Sequence, residues 1–139
     1  MKKILIASLI ILVSGCQKDY QVRPSVSERK DFFRNESDAI SKLNGFLSKY
    51  PHSPKAEAIS RIAYIDSKTK SYAFVFYRSV KGLENIVIEQ EYHNDIVSNV
   101  RSIKCAGEDC ECKVVTVISD EGDVSVGCTC HSCAMIIQQ

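Results

Sequence analysis

Beyond residue 13, this chain has no apolar stretch near the roughly 20 residues that a membrane-spanning helix requires. It also has no run of lysine and arginine. Its 18 basic and 17 acidic residues leave a formal charge of +1, which argues against nucleic acid as a partner. A phosphate-cradling glycine loop, a His-Glu-x-x-His pair and a Gly-x-Ser-x-Gly elbow are all missing. The common nucleotide-binding, zinc-protease and serine-hydrolase chemistries therefore have no support in the sequence. No internal repeat and no low-complexity tract is present, which excludes solenoids and arrays.

The first sixteen residues are more specific. Met1-Lys2-Lys3 is a short cationic start, and Ile4 to Val13 is a ten-residue apolar run. That run is too short to span a bilayer, and small residues follow it at once, the pattern of a secretory signal. Val13-Ser14-Gly15-Cys16 resembles a lipobox, the recognition site of bacterial lipoprotein signal peptidase. The resemblance implies a diacylglycerol on the Cys16 thiol, cleavage before Cys16, and a new amine open to further acylation, including palmitate. Two or more acyl chains anchor a protein stably without a spanning helix. Gln17 in place of Asp resembles outer-membrane sorting in Gram-negative cells. Gln17-Lys18-Asp19 resembles a short signal for export to the cell surface. The expected location is therefore the cell envelope, lipid-anchored, at the outer membrane on its periplasmic or surface face.

Removing residues 1–15 leaves 124 residues, enough for one domain with a core. Loss of Lys2 and Lys3 takes the formal charge from +1 to −1. The remaining charge is uneven. Residues 17–104 hold 15 Lys/Arg against 11 Asp/Glu. Residues 105–139 hold only Lys113 against Glu108, Asp109, Glu111, Asp120, Glu121 and Asp123. All six cysteines other than Cys16 lie in this acidic piece.

Gln17 to Arg29 is polar, with Pro24, and reads as a tether. Asn35 to Tyr50 reads as a helix, because Ala39, Ile40, Leu43, Phe46, Leu47 and Tyr50 recur at the spacing of one buried face. Asn35 or Ser37 can cap its start, and Pro51 and Pro54 stop it. Strand patterns follow at Ala58–Asp66, Tyr72–Tyr77, Leu83–Tyr92 and Ile96–Ile103, separated by polar or glycine turns. Ile96–Ile103 also fits a helical face, but its β-branched content favours a strand. The expected fold class is α+β: one N-terminal helix packed on an antiparallel β-meander, followed by a C-terminal cysteine-rich β-hairpin. The corresponding organisation is a signal peptide (1–15), a lipidated tether (16–30), an α+β domain (31–104) and a cysteine-rich acidic hairpin (105–139).

Cys105, Cys110, Cys112, Cys128, Cys130 and Cys133 form C-x4-C-x-C, fifteen residues, then C-x-C-x2-C. Lys113–Ile118 and Val124–Cys130 are strand-like around Asp120-Glu121-Gly122, a loop that suits glycine at a positive-φ position. Turn geometry sets Ile118 opposite Val124. The mirrored cysteines favour a register two residues away, with Cys112 opposite Cys128. Both registers place thiols on one face.

Three chemistries compete for these cysteines. Outside the cytosol, an even set of six points to disulfides, and a hairpin suggests the nested pairs Cys112–Cys128, Cys110–Cys130 and Cys105–Cys133. Alternatively, Cys110, Cys112, Cys128 and Cys130, with His131 beside them, are a soft donor set for zinc or copper. Finally, Cys130-His131-Ser132-Cys133 resembles in spacing the C-x-x-C of thiol–disulfide oxidoreductases, but the six residues after Cys133 do not provide the helix that stabilises such a thiolate.

Other candidates read as structural. Glu89, Glu91, His93 and Asp95 alternate and suit acid–base or metal chemistry, but also suit the solvent face of an edge strand. His52, near two prolines, reads as a loop residue, and Tyr72, Phe74, Phe76 and Tyr77 read as core. No catalytic residue and no cofactor is indicated. The expected partners are the membrane, through lipid, and an unidentified envelope protein or small ligand.

Overall fold

The computed structural model describes residues 32–108 and 110–139. The signal peptide, Cys16, the tether and Asp109 lie outside the described residues. One helix, α1 (Glu36–Leu47), is followed by β1 (Ala58–Asp66), β2 (Lys70–Ser79), β3 (Gly82–His93), β4 (Ile96–Ala106), β5 (Val114–Ile118), β6 (Val124–Cys128) and β7 (Ala134–Gln138).

Helix α1 begins where the side chain of Asn35 accepts the amide of Asp38 at 2.9 Å, satisfying a donor that has no partner within the helix. The Asp38 carboxylate accepts the Arg34 amide, also at 2.9 Å, and reinforces the entry. The helix stops at Leu47, three residues short of the sequence expectation. The Lys49 amide bonds to Phe46 O and the Tyr50 amide to Leu47 O, both at 3.0 Å. These i to i−3 bonds tighten the chain just before Pro51. Tyr50 is still buried, as the helical spacing predicts.

Five strands form an antiparallel sheet in the order β1-β2-β3-β4-β7. The first four form a meander joined by short turns. The β3–β4 turn is Asn94-Asp95, with φ of 50° and 62°, a pairing of positive φ values that matches the twist of a two-residue hairpin. β7 has no counterpart in the sequence reading. Its Ala134–Gln138 segment returns to pair with the end of β4, Cys105 facing Met135 and Ala106 facing Ala134.

Strand alternation sorts the sheet into two apolar faces. On one side, Ile62, Ala73, Val75, Tyr77, Ile86 and Ile88 pack against Phe32, Phe33 and the Ala39, Leu43 and Leu47 stripe of α1. Asn44 ties the helix to the loop before β1, donating to Ala56 O at 3.1 Å and accepting the Ala56 amide at 2.8 Å. On the other side, Tyr72, Phe74, Val87, Ile103 and Cys105 are covered by the β5–β6 hairpin through Val114, Val124, Val126 and Cys128. The hairpin register is the one set by its turn, with Ile118 opposite Val124 and Val114 opposite Cys128. Gly122 takes φ of 85° in that turn, a conformation with little steric penalty only for glycine.

Candidate functional site

The hairpin is held to the sheet at its open end. Asn85, buried on β3, donates its Nδ2 to Val114 O at 2.8 Å and accepts the Val114 amide at 2.9 Å. Beside it the Cys105–Cys128 bridge, with Cα atoms 5.8 Å apart, ties β4 to the end of β6. Cys105 is buried because alternation turns it towards the hairpin, alongside Ile103.

Beyond β6 the segments around Cys110–Lys113 and Thr129–Cys133 lock together. Thr129 Oγ1 accepts the Lys113 amide and donates to Glu111 O, both at 3.0 Å. The Cys133 amide bonds to Cys130 O at 3.1 Å and turns the chain into β7. Two further bridges join these segments, Cys110–Cys130 with Cα atoms 6.7 Å apart and Cys112–Cys133 with Cα atoms 5.7 Å apart.

All six cysteines are therefore paired, but in chain order and not nested. Cys110–Cys130 is the pair that sequence symmetry suggests. The other two suggested pairs, Cys112–Cys128 and Cys105–Cys133, are replaced by Cys105–Cys128 and Cys112–Cys133. The cause is the placement of the hairpin. It folds back over the face of β4, so Cys128 lies above Cys105. Cys133 is drawn instead towards the sheet edge, where β7 begins.

The donor set considered for zinc or copper is divided by this pairing. Cys128 is bonded to Cys105 and Cys130 to Cys110. The sulfurs that converge are those of Cys110, Cys112 and Cys133, all within 4.8 Å of one another. His131 is exposed on the turn between Cys130 and Cys133. Within the C-x-x-C motif, Cys130 and Cys133 are each bonded to a different partner.

Gly107 shows how tightly this cluster is packed. A Cβ added there would lie 2.7 Å from Cys112 Sγ and 3.2 Å from Ser132 O. Only a residue without a side chain lets the backbone pass so near the sulfur.

The alternating acids resolve differently from expectation. β3 is a central strand and not an edge, so Glu89 is buried. Its carboxylate meets Lys70 Nζ and Arg101 Nε, each at 2.9 Å. Burial alone would raise the Glu89 pKa, but the Arg101 and Lys70 hydrogen bonds and charges hold it below the ordinary glutamate value. Glu91 is half-buried, and His93 and Asp95 are exposed at the strand end. His52 is exposed in the α1–β1 loop, and Tyr72, Phe74 and Tyr77 are buried as the sequence indicates, with Phe76 half-buried.

Sequence reasoning missed a second polar group, on the helix side of the sheet. Lys104 Nζ donates to Glu84 Oε2 and to Tyr77 Oη, each at 2.9 Å, and Tyr77 Oη donates to Glu84 at 2.7 Å. Burial and the Glu84 contact push the Tyr77 phenol far above its ordinary range. Glu84 and Lys104 border a cleft of about 570 Å³ between the α1–β1 loop and Gly107, Glu108, Glu111 and Cys112. Only the sheet register could have revealed this trio, since its members come from three separate strands.

Comparison with family models, with curated proteins and with solved structures returns no match to this chain. Among the described residues no helix is long and apolar enough to cross a membrane.

Proposed function

We propose that this chain is a lipid-anchored cell-envelope protein with a non-catalytic structural or interaction role, held at the outer membrane by acyl groups on Cys16. Residues 16–30 then serve as the tether between the lipid and the folded domain. The observation that carries this reading is the full pairing of the six other cysteines. Structural disulfides persist outside the cytosol and are rare within it, which agrees with the exported location that the lipobox resemblance implies. An interaction role draws support from apolar side chains left open to solvent. Val115 and Val117 are exposed on the outer face of β5, and Met135 and Ile137 are exposed on β7, an edge strand. An edge strand also offers backbone groups that a partner chain can pair with.

The test is fractionation of cells expressing the full chain, with intact mass of the purified product under non-reducing conditions. The reading expects a membrane-bound species that begins at an acylated Cys16, has six hydrogens fewer than the fully reduced form, and carries no metal. It expects Cys16→Ala to leave the membrane fraction. Retention of that variant in the membrane together with a wild-type product that keeps residues 1–15 overturns it, as do free thiols in the wild-type product.

A further inference from the structure

Two of the three bridges touch one another. Cys110 Sγ, bonded to Cys130, lies 3.3 Å from Cys133 Sγ and 3.9 Å from Cys112 Sγ, the two sulfurs of the neighbouring bridge. Cys105–Cys128 stands apart from this quartet, with Cys105 Sγ directed at Gly127 O, 3.6 Å away. We propose that Cys110, Cys130, Cys112 and Cys133 form a thiol–disulfide exchange site, at which a low-molecular-weight thiol that bonds to Cys130 releases Cys112 as a free thiolate.

The chemistry follows from the contacts. Exchange proceeds by attack of a thiolate on one sulfur of a disulfide, with the other sulfur leaving as a thiolate. In the first step the external thiolate bonds to Cys130 Sγ, the Cys110–Cys130 bond breaks, and Cys110 leaves with the electron pair. The Cys110 thiolate then stands beside the Cys112–Cys133 bridge. In the second step it bonds to Cys133 Sγ, the Cys112–Cys133 bond breaks, and Cys112 carries the negative charge. One mixed disulfide, one new Cys110–Cys133 bridge and one thiolate result. No electrons are gained or lost beyond those the external thiol brings.

The 3.3 Å contact selects Cys133 over Cys112 as the sulfur attacked. The 3.3 and 3.9 Å distances place Cys110 Sγ beside the Cys112–Cys133 bond and not on its axis, so the freed Cys110 side chain rotates into line with that bond before it attacks. Cys110 and Cys133 are already neighbours, and the Thr129 bonds to Lys113 and Glu111 hold their two segments together while the bridges change. The Cys130–Cys133 turn carries exposed His131 and Ser132, so a small thiol approaches from that side. This site goes beyond the envelope role proposed above and does not depend on the anchor.

The decisive variant is Cys130→Ser, which creates the Cys110 thiol without an added reductant. The purified protein is blocked with N-ethylmaleimide in its native state, digested at low pH, and its labelled and cross-linked peptides are mapped. The expected result is label divided between Cys110 and Cys112, with a Cys110–Cys133 cross-link present and Cys105–Cys128 intact. Label confined to Cys110, with Cys112–Cys133 intact in every molecule, overturns the proposal. Should that variant fail to fold, the wild-type protein is treated with less than one equivalent of a small thiol and quenched in acid. A Cys110–Cys133 peptide among the partly opened molecules upholds the exchange, and its absence from them overturns it.

Discussion

Asn85 and Val114 bond to each other twice, through Nδ2 to the carbonyl at 2.8 Å and from the amide to Oδ1 at 2.9 Å. The side chain of one strand residue thereby acts as the backbone partner of another, where β5 lies over β3. Replacing Asn85 with Leu would leave a buried amide and a buried carbonyl of Val114 unpaired. We expect a loss of about 2–4 kcal/mol, since each such group costs about 1–3 kcal/mol. Urea denaturation measures the loss, and hydrogen exchange should show faster opening at Val114 than at β2 amides.

Stability should depend on acid through Glu89, whose side chain is 4% exposed between Lys70 and Arg101. Its folded pKa is depressed, so the unfolded chain takes up the proton first as the pH falls. The contribution is complete above the ordinary glutamate value of about 4.3 and disappears as the pH drops through the lower folded value. Glu84, also depressed despite its burial, by Lys104 and Tyr77, adds in the same direction. We expect urea midpoints that fall below about pH 4.3. Glu89→Gln should flatten that fall and lower stability at neutral pH by about 1.5–3 kcal/mol.

Removing the bridge between β4 and β6 gives a bounded effect. Its cysteines are 23 residues apart, but Cys110–Cys130 already closes most of the same loop. The ring that Cys105–Cys128 adds to the unfolded chain is therefore short. Replacing both cysteines with alanine should cost about 2–3 kcal/mol, less than a lone bridge of that span would suggest. Chemical denaturation under non-reducing conditions reads this directly.

Gly45 offers the opposite sign. It lies inside α1, exposed, and a Cβ built there meets nothing within 4 Å. Gly45→Ala should stabilise the protein by about 0.5–1 kcal/mol through helix propensity alone. A raised thermal midpoint with an unchanged circular dichroism spectrum is the expected reading.

What the sequence made legible was periodic. The spacing from Ala39 to Leu47 located the buried stripe of α1, and Asn35, one of two candidates with Ser37, is its cap. Alternation and β-branched residues located β1 to β4, including the ambiguous Ile96–Ile103 segment. Asp120-Glu121-Gly122 located the hairpin turn, but the turn and the mirrored cysteines left two registers open, of which the structure adopts the turn's. What stayed hidden depended on contacts distant in sequence. Glu89 looked like a surface acid because its cations come from other strands, Arg101 directly opposite it on β4 and Lys70 on β2. Ala134–Gln138 is five residues long, and its partner segment on β4 ends 28 positions before it begins. The cysteine pairing could not be read from symmetry, because it depends on the hairpin folding over Cys105 instead of projecting beyond the sheet.

The three bridges also decide what happens if the chain is cut. All of them join residues on the Cys112 side of the β5–β6 tip to residues on the Cys128 side. A protease that severs the exposed Asp120-Glu121 bond would therefore release no fragment. The two pieces would migrate as one molecule until a reductant separates them, so a nick at this exposed tip of the domain is covalently survivable.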